Sequence, residues 1–322
     1  MIVLHKDRDI TEYVSSISWG GSKSEVARKL ELTIINAPLD KNIKPLVMEL
    51  AEPVYLFEDD GVTELFRGFI TDREAVSTTG TIKYTAYDLM FYTIKSKATY
   101  NFSGKTAEGI TKLVCDDMEI PTGDIVATGL SQKLIVQGKS IYEIIMQAYT
   151  QASQQNGKQY HAIARKGKLC VEEMGKKMCG AVLTEDSNIT SSKYTETIAN
   201  MINKVRIYTD KGVASGTVQN AEDIAKFGIF QDVYKQEKGK DATTTAKSMF
   251  KGVEKTFTLD CLNYNDAVTG AGITIEDSTT GLSGIAWIEA DTHNWSNGVA
   301  TMSLTVTLKL LMDKKEADSS GK

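Results

Sequence analysis

The segment Asn297–Leu308 constrains the fold more than any other. Asn297-Gly298 is a two-residue hairpin signal, because both residues tolerate the positive φ of a type I′ turn. Beyond it, Met302, Leu304, Val306 and Leu308 alternate with Thr301, Ser303, Thr305 and Thr307. A period of two places one set on a buried face and the other toward solvent, the pattern of a half-buried antiparallel strand. The same pattern recurs near the start. Leu30, Leu32 and Ile34 alternate with Lys29, Glu31 and Thr33, and Ile82, Tyr84 and Ala86 with Thr81, Lys83 and Thr85. Between them, Val54–Phe57 and Leu65–Thr71 flank Glu58-Asp59-Asp60-Gly61, which predicts a hairpin. Further strands are expected at Thr256–Leu259, Ile273–Glu276 and Ile285–Asp291.

The middle of the chain changes period. Ile110, Leu113, Val114 and Met118 recur at helical spacing. Ser140-Ile141-Tyr142-Glu143 matches a capping box, in which Ser and Glu each satisfy an otherwise unpaired backbone N–H. Ile141, Ile144, Ile145, Ala148 and Ala152 then form one apolar stripe, closed by Asn156-Gly157. Tyr160–Ala164 and Leu169–Glu173 flank Arg165-Lys166-Gly167-Lys168, a second hairpin signal. Val205–Thr209 reads as a strand before Asp210-Lys211-Gly212, and Ala242, Ala246, Met249 and Phe250 share one helical face. The expected class is mainly β with α+β insertions. Its expected domains are an N-terminal β-barrel at 1–97, a mixed α/β connector at 98–200, a second β-barrel at 201–312 with a helical insertion near 220–252, and a flexible charged tail at 313–322.

A faint internal repeat supports two β units. Val54–Asp59, Phe66–Ile70 and Thr81–Tyr87 form one set, and Ile273–Asp277, Leu282–Ile288 and Val299–Leu308 another. In both, an acidic turn leads to a glycine, then to an aromatic residue and an isoleucine. The alternative is that two unrelated antiparallel units look alike at this level.

Length and composition bound the class. The chain has 322 residues, room for two or three domains with real cores. Hydrophobic residues make up 41% and charged residues 25%, the profile of a soluble globular protein. No apolar run approaches the ~18 residues of a membrane helix. Met1–Asp9 turns charged after four residues, so no signal-peptide core is expected. Lys and Arg number 37 against 42 Asp and Glu, net −5, which does not suggest a nucleic-acid binder.

Catalytic signatures are weak throughout. His5, His161 and His293 lie far apart, and no zinc-protease, paired C-x-x-C or nucleophile-elbow motif is present. Cys170 and Cys179, around Met174-Gly175-Lys176-Lys177, could pair, join His161 at a metal, or be two buried thiols. The four cysteines, Cys115, Cys170, Cys179 and Cys261, are too few and too scattered for a secreted disulfide framework. Gly104-Lys105-Thr106 resembles a phosphate loop, but Thr99 stands where that motif needs glycine; a turn with Thr106 near a helix N-cap is the simpler reading. Glu58-Asp59-Asp60, Asp116-Asp117 and Glu172-Glu173 could hold an acid/base pair, or be solvated turns and strand ends; Lys235–Lys240 reads the same way. Trp19, Trp287 and Trp295 are core or interface anchors. No catalytic, cofactor-binding or metal-binding residue is therefore assigned.

The order of features is more informative than any single motif. Phe66-Arg67-Gly68-Phe69-Ile70, Tyr84-Thr85-Ala86-Tyr87-Asp88 and Tyr100-Asn101-Phe102-Ser103-Gly104-Lys105-Thr106-Ala107 come first. Gly138-Lys139-Ser140-Ile141-Tyr142-Glu143-Ile144-Ile145, Asn203-Lys204-Val205, Phe227-Gly228-Ile229-Phe230-Gln231 and Gly281-Leu282-Ser283-Gly284 follow. In this order and spacing, over nearly its whole length, the chain resembles the contractile-tail baseplate hub family of the XkdQ/YqbQ kind, found in phages, PBSX-like prophages and R-type tail-like bacteriocins. One departure is Cys261-Leu262-Asn263, where a glycine turn before Ala271-Gly272 is expected. The resemblance implies two tube-like antiparallel β-barrel domains linked by a mixed α/β segment. It also implies a homotrimer that adapts the hexameric tail tube to the trimeric central spike, with tape-measure and LysM-type baseplate proteins as further partners. No enzyme activity, cofactor, specific nucleic acid or membrane insertion is implied. The implied location is the baseplate of a virion or tail-like particle, assembled in the bacterial host cytoplasm. Two other classes stay open, a tail-associated cell-wall hydrolase and a carbohydrate-binding β-module; the latter requires Trp287 and Trp295 to face solvent together.

Overall fold

The structure, a computed structural model, describes residues 1–36, 46–76, 80–236, 241–310 and 312–315. The first β region comprises Ile2–His5 (β1), Arg8–Asp9 (β2), Val14–Ser22 (β3), Lys29–Ile35 (β4), Pro53–Phe57 (β5), Glu64–Val76 (β6) and Thr81–Asp88 (β7). Alternation sets the register. Leu30, Leu32 and Ile34 are all buried and lie opposite Ala86, Tyr84 and Ile82. Their core also takes Val3, Ile17, Trp19, Val54, Leu56, Phe66 and Ile70, and among the described residues no α-helix contributes to it. A sheet whose inner face supplies its own core must curl around it. The Asp60 carboxylate holds the β5–β6 turn, accepting from the Val62 and Thr63 amides at 2.9 Å each.

The connector follows as Met90–Lys95 (α1), Lys97–Thr106 (β8), Ala107–Asp117 (α2), Thr122–Ile125 (β9), Ser131–Ser140 (β10), Ile141–Asn156 (α3), Tyr160–Arg165 (β11) and Lys168–Glu173 (β12). The capping box forms as its residues dictate. The Glu143 amide donates to Ser140 Oγ at 3.2 Å, and the Ser140 amide to Glu143 Oε2 at 2.9 Å. Gly157, at φ +73°, closes α3. The whole expected stripe of α3 is buried. Ser140→Ala should lower stability by about 1 kcal/mol, read from urea unfolding midpoints. In α2 the inward face is Ala107, Ile110, Thr111, Val114 and Cys115, whereas Leu113 falls outside that arc and is exposed. β8 and β10 pair antiparallel, a hairpin-like sheet absent from the sequence-based expectation. Residues 312–315, at the start of the expected tail 313–322, contact α3. Met312 is buried, Tyr142 Oη donates to Asp313 Oδ2 at 2.9 Å, and the Lys315 amide donates to Thr150 Oγ1 at 3.2 Å. An apolar Met and two polar anchors thus dock this stretch on α3; residues 316–322 lie outside the described residues.

The chain continues through Met178–Thr184 (β13) and Ile189–Thr197 (β14), then Lys204–Tyr208 (β15), Ala214–Gln219 (β16), Ala221–Phe227 (α4), Gln231–Lys235 (β17) and Ala242–Ser248 (α5). It ends with Glu254–Leu262 (β18), Gly272–Asp277 (β19), Leu282–Ser296 (β20) and Val299–Thr307 (β21). Residues 193–257 form a compact unit separate from the rest of the chain. Its three-stranded sheet, in the order β16-β15-β17, buries Val205, Ile207, Val218 and Tyr234. Ala242, Ala246, Met249 and Phe250 pack on that core, as their shared helical face requires. This unit encloses the stretch 220–252; residues 237–240 of the charged run Lys235–Lys240 lie outside the described residues. In the last strand Met302, Leu304 and Val306 are buried, while Leu308 lies past the strand end and is exposed. Asn297 and Gly298 both have positive φ, +52° and +77°, as the turn type demands.

Thirteen strands join in one sheet. The order is β14-β18-β21-β20-β3-β4-β7-β6-β5-β1-β2, with β19 paired to β20 and β13 paired to β19. This order contains a duplication. The spatial run β3-β4-β7-β6-β5-β1 matches β14-β18-β21-β20-β19-β13, and the six strands follow one another along the chain in the same sequence in both. The central long strands match in detail. β6 pairs with β5 over Glu64–Phe69 and with β7 over Gly68–Val76, with a register shift between Ile70 and Asp72. β20 pairs with β19 over Leu282–Trp287 and with β21 over Trp287–Ser296, with a shift between Ile288 and Ala290. The copies differ at their outer strand: β1 runs antiparallel to β5, β13 parallel to β19. Along the chain, residues 198–253 separate β14 from β18, where residues 23–28 separate β3 from β4.

Candidate functional site

The two β regions meet where β20 pairs with β3, over Ala290–Ser296 and Ser16–Ser22. Glycine makes the approach possible. A Cβ on Gly20 would run into the Asp291 carbonyl oxygen, and one on Gly21 would press on the Arg28 side chain at 2.9 Å. Arg28, just before β4, lies across this joint. It grips Asp291 with both guanidinium arms, Nη1 to Oδ1 at 3.0 Å and Nη2 to Oδ2 at 2.5 Å, the bidentate geometry that suits a carboxylate. Thr269 adds its amide and its hydroxyl to Asp291 Oδ1, each at 2.6 Å. His293 Nε2 stands 3.3 Å from Asp291 Oδ2, and its Nδ1 is 2.6 Å from Asn263 Oδ1.

Aromatic stacking closes the cluster. The Arg28 guanidinium carbon sits 4.2 Å above the Trp19 ring, a cation–π contact. His293 lies 4.8 Å and Trp295 6.4 Å from Trp19, centroid to centroid. The Asp291 and His293 side chains are fully buried. Burial alone would disfavour the Asp291 carboxylate. The Arg28 charge and its two hydrogen bonds, with the His293 ring nearby, outweigh it and hold the carboxyl well below its usual range.

Asp88, at the end of β7, sits beside this clamp and carries the opposite perturbation. It is buried and accepts from the Met90 amide at 2.9 Å. Burial pushes its pKa up to about 7, against hydrogen bonds from the Met90 and Arg28 backbones and the Arg28 charge. Asp88, Trp19, Arg28, Tyr142, His161 and Trp287 help line a cavity of about 330 Å³ between the connector and the β regions.

Of the residues singled out in the sequence, Trp19, His293 and Trp295 gather here, whereas the cysteines, Thr106 and the acidic clusters do not. Cys115, Cys170, Cys179 and Cys261 are four buried free thiols, so Cys170 and Cys179 do not pair. Burial pushes Cys115, Cys179 and Cys261 up to about 12, which keeps them protonated and poorly nucleophilic. Thr106 caps α2, its Oγ1 accepting from the Gly109 amide at 3.2 Å. The acidic clusters stay apart and serve local structure: Glu58 takes Asn265 Nδ2 at 2.9 Å, Asp117 takes the Tyr100 hydroxyl, Glu172 pairs with Arg165 and Glu173 with Lys158. Trp295 stacks within the cluster and packs on the N-terminal core, so it does not form a solvent-facing platform with Trp287.

Neither Arg28 nor Asp291 stood out in the sequence. The usable signal was phase: past the irregularity at Ile288/Ala290, Asp291 and His293 fall opposite the buried Leu304 and Met302. A carboxylate on an inward phase demands a buried cation. With Asp291 and His293 sealed from solvent, the cluster acts as a clamp that fixes how the two β regions meet.

Comparison with known proteins assigns the family. The YQBQ-like family model matches residues 17–307. This chain belongs to the YQBQ-like family. Among its relatives, the phage-like element PBSX protein XkdQ of Bacillus subtilis is 26% identical over 320 residues, covering 95% of this chain and 96% of XkdQ. The uncharacterized protein YqbQ of the same organism is 29% identical over 257 residues, 76% of this chain and 78% of YqbQ. Among solved structures, the 43 kDa tail protein of prophage MuSo2 from Shewanella oneidensis shares the fold with a TM-score of 0.73 at 12% identity, covering 95% of both chains. The mostly antiparallel β architecture with α+β insertions is thus common to this YQBQ-like chain and a phage tail protein.

Proposed function

We propose that this YQBQ-like protein is a structural component of a phage-type tail, and within it the baseplate hub of a contractile tail. One observation carries the reading: a six-strand unit occurs twice in one chain with the same strand order, the outer strand alone differing in direction. Three chains then supply six like β units, one for each subunit of a hexameric tube ring, while the assembly keeps the threefold symmetry of a central spike. In that reading the two units are tube-like β-barrel domains, one built around β1–β7 and the other around β13, β14 and β18–β21. Relatives named as PBSX and prophage tail proteins support the tail context. The role is geometric and requires no active site. The partners are two further copies, the tail tube protein and the central spike protein, with tape-measure and LysM-type baseplate proteins alongside. The particle is a phage tail or tail-like bacteriocin put together in the bacterial cytoplasm. Quantitative mass spectrometry of purified particles tests the stoichiometry. Three copies per particle are expected, and six or more would contradict the hub role.

A further inference from the structure

The duplication has a gap that specifies an interface. In the second unit, the outer half of β20 is covered by β3 of the first unit, along Ala290–Ser296. The counterpart of β20 is β6, and the counterpart of Ala290, directly after the register shift, is Asp72. Among the described residues no strand pairs with the equivalent side of β6, although Arg73 Nη1 lies 3.6 Å from Glu49 Oε1. Its outer half pairs only with β7, and Asp72, Arg73, Glu74 and Ala75 are all exposed. The counterpart of β3 is β14, which ends the sheet and has β18 as its one neighbour. Among the described residues, each chain therefore shows one acceptor edge and one edge strand without a second strand partner, of the two kinds that its own internal joint already brings together.

The chemistry of β14 fits a strand that is covered. Its nine residues include Ile189, Tyr194 and three threonines, all favourable in strands, with no proline or glycine and two charges, Lys193 and Glu196. Most of its side chains are exposed. A long edge strand with so little protection invites pairing with another chain. On the acceptor, β5 ends its pairing at Phe69, before the open stretch begins, as β19 stops at Trp287 before β3 takes over.

We infer that β14 of one copy adds antiparallel to the outer half of β6, from Asp72 onward, in a second copy of this chain, reproducing between chains the β3–β20 joint within each chain. The contact is head-to-tail, so it closes only as a ring. The inference rests on the hub reading for the number of copies in that ring.

Hydrogen exchange, compared between the isolated chain and purified particles, tests it without assuming a register. The outward amides of Thr190–Thr197 and of Asp72–Val76 should exchange freely in the isolated chain and slow by about 100-fold or more in particles. Particles assembled from mixed heavy- and light-isotope chains, treated with a lysine cross-linker, should join Lys193 of one chain to Lys83 of another; Lys83 lies opposite Glu74 on β7. If either segment exchanges in particles as fast as in the isolated chain, or Lys193 couples only to a different protein, the pairing is wrong. Three copies per particle with both edges still open would sink this interface and leave the hub reading standing. A different copy number would remove the hub reading, and the exchange and mixed-isotope data would still decide whether the edges pair.

Discussion

Replacing Arg28 with alanine lowers stability by about 3–5 kcal/mol, the scale set by removing one partner of a buried ion pair. The loss is large because Asp291 has no solvent access and would be left charged beside Trp19 and His293. A surface pair would contribute under about 1 kcal/mol. Tryptophan fluorescence during urea unfolding reads the right part of the molecule, since Trp19, Trp287 and Trp295 all lie outside the compact unit 193–257. Adding Asp291→Asn to Arg28→Ala should recover part of the loss, because it removes the unpaired charge. A loss under about 1 kcal/mol for Arg28→Ala would show that the clamp does not hold the joint.

Asp88 contributes a pH dependence opposite to that of the depressed carboxylates. Its folded-state pKa of about 7 lies above the ordinary 3.8. The native protein therefore holds this proton to higher pH than the unfolded chain does. The associated stability is complete below the unfolded value and is lost as pH rises through about 7. A shift of this size amounts to about 4 kcal/mol. Asp291 acts in the opposite sense: its depressed folded value adds stability that is present above the unfolded value and lost as pH falls below it. Stability should peak in the weakly acidic range and decline toward neutrality. Asp88→Asn cannot ionise, so the decline between about pH 4 and about pH 7 should flatten. Urea midpoints across that range measure it. An unchanged slope would mean that Asp88 is charged throughout or is solvated.

Local signals in the sequence were sufficient wherever neighbours along the chain decide the structure. Ser140 and Glu143 specify the start of α3, Gly157 its end, and Asn297-Gly298 the β20–β21 turn, because each acts within a few residues. The faint likeness between 54–87 and 273–308 marks three strands of what the topology extends to six. The β3–β20 joint was not legible, since it pairs residues about 270 positions apart and leaves no local period. Boundaries expected at 97, 200 and 312 follow changes of residue pattern, whereas the compact units follow contacts and divide near 193 and 257. β13 and β14, inside the expected connector, extend the large sheet because β19 and β18 offer them ladders. β8 leaves little period because Phe102 is its single fully inward residue, whereas β10 alternates Gln132, Leu134 and Val136 inward. Cys261 and Leu262 end β18, and Asn263 supplies the acceptor for His293.

The most direct test of the account is cryo-electron microscopy of a purified tail carrying this protein. Three copies ringing the axis between tube and spike, with the two six-strand units of each chain alternating around a pseudo-sixfold ring, is the predicted result. A peripheral position, or a ring of six or more chains, would contradict the hub role.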